Sequence, residues 1–62
     1  MEIIREAEVA KMTGVPRGTL QYWRGAGKGP RWAKFEGTVV YRRADVEAWI
    51  EAQFAKAAGG AA

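Results

Sequence analysis

The stretch that decides the fold is Gly14-Val15-Pro16-Arg17-Gly18-Thr19-Leu20-Gln21-Tyr22-Trp23-Arg24. Gly14 predicts the stop of a helix that precedes it, because a left-handed residue costs least at glycine. Pro16 suits the first turn of a new helix, where its missing N–H would have no partner anyway. Arg17 to Arg24 then continues helically. Leu20 and Trp23, three apart, form its buried pair, and Arg17, Thr19, Gln21, Tyr22 and Arg24 remain on other faces. Upstream, Glu6 to Thr13 reads as a short first helix. Val9, Met12 and Thr13 fall at i, i+3 and i+4, with Ala10 alongside. Ile3 and Ile4 precede that helix and are expected to pack back on it as a staple.

Two short helices joined through a Gly-containing turn of about three residues describe a helix-turn-helix unit. Downstream, Gly25-Ala26-Gly27-Lys28-Gly29-Pro30 is a breaker cluster that ends the second helix and redirects the chain. It is no phosphate-binding loop, since the G-x-x-x-x-G-K-[ST] spacing is absent. Arg31 to Phe35 and Thr38 to Arg42 then predict a small β-hairpin, with Gly37 supplying the positive φ of its turn. Alternation puts Val39 and Tyr41 on one face of the second strand. A lone hairpin is marginal in water, so this one must lean on the helices. Arg43 to about Ala57 is the clearest helix, with Val46, Trp49, Ile50, Gln53 and Phe54 recurring at helical spacing. Asp45 lies in its first turn, where a carboxylate complements the dipole.

These elements make one small α+β domain over residues 1–56, with residues 57–62 expected as a flexible tail that has nothing to bury. The expected core is Val9, Met12, Leu20, Trp23, Tyr41, Val46, Trp49 and Ile50, extended by Phe54. Trp32 is left open: it packs under the hairpin, or stands exposed for a protein partner.

The chain has 62 residues, with Lys+Arg 10, Asp+Glu 7, no His, no Cys and a net charge of +3. That length holds one core. The missing residues close off disulfides, thiolate and imidazole metal sites, and His-dependent nucleophile systems. The inventory therefore argues against an enzyme, a metal or a cofactor. No apolar run approaches the ~20 residues of a bilayer span, and the first residues lack a signal-peptide stretch. A soluble cytoplasmic protein is the expectation. Charge is uneven along the chain. Residues 1–16 carry a net −1, residues 17–43 a net +6 and residues 44–62 a net −2. A basic centre between acidic flanks is the electrostatic footprint of a polyanion binder, and the flanks disfavour binding in the wrong orientation.

The run Glu8-Val9-Ala10…Gly14-Val15-Pro16-Arg17-Gly18-Thr19-Leu20-Gln21-Tyr22-Trp23 resembles the helix-turn-helix of the excisionase-like, MerR-related winged-helix family. Gly29-Pro30-Arg31…Lys34…Gly37…Tyr41-Arg42-Arg43-Ala44-Asp45-Val46-Glu47-Ala48-Trp49 is similar to that family's second half. The resemblance covers roughly residues 3 to 54, and its two halves are specific in combination rather than singly. It implies a winged helix-turn-helix that binds duplex DNA, with the second helix in the major groove and the hairpin wing along an adjacent minor groove. It also implies a phage or bacterial, nucleoid-associated setting and a site-specific recombinase (an integrase) as possible partner. Relatives of the MerR type dimerise through a long coiled coil. The few residues after Trp49 lead instead to an expected monomer, assembling head-to-tail on tandem sites if at all.

The residue chemistry agrees. Arg17 and Gln21 are i, i+4 and share a face; Arg can pair with guanine O6/N7 and Gln with adenine N6/N7. Thr19, Tyr22 and Arg24 suit phosphates. Gly18 allows close backbone approach to DNA, or is simply tolerated in an exposed first turn. Lys28, Arg31, Lys34, Thr38, Arg42 and Arg43 are the expected phosphate contacts of linker and wing. Glu36 at the wing tip opposes insertion into a groove lined by phosphates, so the wing is expected to anchor along the backbone. The leading reading is an excisionase (recombination directionality factor). A small transcriptional regulator or phage repressor is the alternative. A protein-interaction module with a basic surface is the alternative of another class.

Overall fold

A computed structural model describes the backbone of residues 1–61 and the side chains of residues 1–57. The chain runs β1 (Ile3–Arg5), α1 (Glu6–Thr13), α2 (Arg17–Ala26), β2 (Ala33–Phe35), β3 (Thr38–Arg42) and α3 (Arg43–Ala61). It is a small α+β fold, a helix-turn-helix with a β-hairpin wing and a C-terminal helix.

The α1–α2 turn forms as its residues dictate. Gly14 adopts φ 73° and its N–H bonds to the Ala10 carbonyl, closing α1. The Thr13 hydroxyl donates to the Val9 carbonyl and accepts the Val15 N–H, which ties the turn to the helix it leaves. From there α2 runs through Gly25 and Ala26, two residues beyond the expected stretch, and Gly27 caps it at φ 74°. One interior glycine costs only ~1 kcal/mol against alanine, so the breaker cluster begins to act at Gly27 rather than Gly25.

The sheet differs from the expected hairpin. Ile4, just before the N-cap Arg5, shares the buried cluster with Val9 as expected of a staple, while Ile3 stands exposed. With Arg5 they make β1, antiparallel to β3, with Ile4 opposite Tyr41 and Arg5 opposite Val40. The order is β1-β3-β2, so β3 is central. A hairpin alone leaves one side of β3 without hydrogen-bond partners, and β1 supplies them. On the other side β2 pairs with β3 through a two-residue loop, Glu36-Gly37. Both loop residues have positive φ, 48° and 83°. That is the turn whose twist matches a hairpin, and here a non-glycine residue occupies its first position.

Ile4, Val9, Leu20, Tyr41 and Val46 form the buried cluster, drawn from all the larger elements. Met12, Trp23 and Ile50 pack against it while half-buried. Trp49 stands at its margin, its ring 5.5 Å from that of Trp23 and tilted 51°. Phe54 does not extend the core: it is 69% exposed. It stands instead at the rim of an open groove in which α3 faces Met12, Thr13 and Val15 of the α1–α2 turn without closing on them. The helix backbone continues to Ala61, beyond the expected end near Ala57 and through Gly59 and Gly60. Residue 62 and the side chains beyond residue 57 lie outside the described residues, and the flexibility expected of the 57–62 tail lies there too.

Candidate nucleic-acid interface

Arg17 and Gln21 are both exposed, one turn apart on α2. They line a single cleft with Arg5 at the end of β1 and with Gly37, Thr38 and Val39 of the wing. The helix–turn–helix angle and the β3 register thus bring the first half of α2 and the wing turn to one concave surface. Arg17 supplies a bidentate donor fork and Gln21 an amide that both donates and accepts, the groups that read base edges. Thr38 adds a hydroxyl. Tyr22 is 66% exposed on the outer side of α2, with its phenol free to reach a phosphate. Thr19 is half-buried. A Cβ built on Gly18 would meet nothing within 4 Å, so no contact inside the chain requires glycine there.

Arg24 is turned inward. Its Nε donates to a Glu6 carboxylate oxygen at 2.8 Å, and the Tyr41 hydroxyl donates to the same oxygen at 3.0 Å. The guanidinium also lies over the Trp32 ring, 5.5 Å from its centre. Glu6 is the one buried charged residue among those described, at 6% exposure. Its side chain joins the start of α1 to the end of α2 and to the central strand. Hydrogen bonding to Glu6 raises the Arg24 pKa above its ordinary value. Burial, and then the bond to Glu6, push the Tyr41 hydroxyl up to about 12. Arg24, expected on a phosphate, lines the same cleft as Arg17 and Gln21 but is held there by Glu6, with Trp32 beneath its guanidinium.

The linker and wing cations do not form one set. Lys28 faces Trp23, Trp49 and Lys56, between α2 and α3. Arg31 and Arg42 line a separate cleft on the sheet. Arg43 opens α3 and pairs with Glu2 at 3.6 Å and Glu47 at 3.4 Å, while Arg42 pairs with Asp45 at 3.5 Å. Lys34 stands exposed on β2 without an ion-pair partner among the described residues. Only Thr38, of the six expected linker and wing contacts, lines the α2 cleft, and Arg5 joins it without having been foreseen. Charge counting places Arg5 in the acidic N-terminal third; its position follows from β1, a strand of three residues too short to show a period. Among the described residues no cluster of acidic side chains could hold a metal ion, and no helix is long and apolar enough to cross a membrane.

A family model described as a helix-turn-helix domain matches residues 5–53, most of the chain. No curated protein and no solved structure matches the chain.

Proposed function

The chain belongs to the helix-turn-helix domain family, and on that footing we propose that it binds duplex DNA in a sequence-specific way. Arg17 and Gln21 read base edges in the major groove, and Arg5, Thr38 and Tyr22 fix the register on flanking phosphates. The carrying observation is the single cleft in which the exposed face of α2 meets the wing turn. Lys34 adds a phosphate anchor along the wing. No chemistry on the DNA is involved.

Within that class, the reading favoured is an excisionase: a protein that binds and bends DNA near an attachment site and so directs an integrase partner. The spacing of Leu20 to Trp23 and of Tyr41, Asp45, Val46 and Trp49 supports it by resemblance. In this reading the chain is a monomer in solution and loads cooperatively on tandem sites. The experiment is selection from a random duplex library, followed by footprinting on the recovered sites. Tandem direct repeats with a bend at each site are the expected result. One inverted repeat would replace this reading with that of a dimeric regulator, and recovery of no consensus would remove sequence-specific DNA binding itself.

A further inference from the structure

The sheet has a second face. Ile4 and Tyr41 point into the core, so alternation sends Ile3, Val40 and Arg42 to the opposite side, together with Ala33 and Phe35 of β2. Among the described residues, Met1, Ile3, Trp32 and Phe35 are four of the six large apolar side chains left exposed, at 93%, 43%, 38% and 55%. All four line one cleft, with Val40 buried beneath them. Apolar side chains scattered singly over a surface are ordinary; a contiguous group of aromatic and aliphatic ones marks a contact site.

The charge beside this group is positive. Arg31 and Arg42 line the same cleft against one acid, Asp45, which Arg42 holds, so Arg31 is the cation left over. We propose that this face docks a protein segment that sets apolar anchor side chains beside carboxylates. The anchors cover Ile3, Trp32 and Phe35, and the carboxylates meet Arg31 beside the Arg42–Asp45 pair. Apolar and aromatic anchors in a desolvated centre, with complementary charge at the rim, is the usual anatomy of such contacts. A nucleic acid is the poorer occupant, because methyl and methylene groups gain nothing against phosphates. The cleft also shares no residue with the one between α2 and the wing. DNA and a protein segment can therefore be held at once, and the docking inference stands whether or not the DNA reading does.

The test is a random peptide library displayed on phage and selected against the immobilised full chain. Recovered peptides should place Phe, Leu, Ile or Trp within a few residues of Asp or Glu. Synthetic copies should bind about tenfold more weakly to Ile3→Ser and Phe35→Ser chains, the loss of one apolar anchor. Replacing their carboxylates by amides should weaken them similarly. Both variants change exposed residues, so their circular dichroism and duplex affinity should match the parent chain. Failure to enrich any peptide overturns the proposal, as do peptides without an acidic bias or peptides that bind Phe35→Ser undiminished. Concentration-dependent dimers broken by Phe35→Ser would give the face to a second copy. Protection of Trp32 by duplex DNA would give it to nucleic acid.

Discussion

Glu36 and Gly29 show what single residues carry here. Glu36 holds φ 48° at the first position of the wing turn. A left-handed non-glycine residue costs about 1–2 kcal/mol, least for Asn. Glu36→Asn should therefore raise stability by about 0.5–1 kcal/mol, read as a higher midpoint in thermal unfolding. It should also tighten DNA binding, since a carboxylate leaves the wing tip. Gly29 has φ 79°, and a Cβ there would lie 2.9 Å from the Trp23 ring. Gly29→Ala should destabilise by about 1–3 kcal/mol in urea unfolding. On α2, Arg17→Ala should cost ~1–3 kcal/mol of binding and relax preference at one base pair, whereas Lys34→Ala should weaken all sequences alike. Competition binding against single-base variants of the selected site separates the two. Gly37 was legible in the sequence because one residue type carries the turn. The 2.9 Å approach at Gly29 was not, since it depends on how Trp23 is packed.

At the scale of elements, the Glu6–Arg24–Tyr41 group joins α1, α2 and β3. Truncating Arg24 leaves Glu6 buried and unpaired, so Arg24→Gln should cost about 1.5–3 kcal/mol of stability. It should leave the salt slope of DNA binding unchanged, where loss of a phosphate contact lowers the slope by about one. Tyr41 adds a pH dependence. Its pKa lies at about 12 in the folded chain against 10.0 as the ordinary value. The folded state thus holds this proton more tightly than the unfolded chain does. The contribution is complete below pH 10 and lost as pH rises through 12, on the order of 2–3 kcal/mol in all. Chemical unfolding between pH 8 and about 12 should show that fall, and Tyr41→Phe should flatten it from a lower starting stability. The helices were legible because Leu20 with Trp23, and Val46 with Trp49 and Ile50, repeat at helical spacing. β1 and the Glu6 group were not. Three residues carry no period, and no local pattern tells which of Glu2, Glu6 and Glu8 is buried beneath an arginine eighteen residues on.

The whole molecule divides its charge between two sides. The basic centre of the sequence does not become one basic surface. Arg17 faces the wing with Arg5, Arg31 borders the apolar sheet face, and Arg24, Arg42 and Arg43 are held by Glu6, Asp45, Glu2 and Glu47. Segment charge foretold a polyanion binder, yet the tally over residues 17–43 could not tell which cations stay free. Arg5, Arg17 and Lys34 are the cations left free on the α2–wing side, and with Lys28 beyond the end of α2 they allow roughly 3–4 phosphate contacts. The most direct measurement is duplex affinity by fluorescence anisotropy across a salt series. Binding through the α2–wing face predicts a slope of log K against log[salt] of roughly −3 to −4. A flat response, or no binding to duplex DNA at low salt, would contradict it.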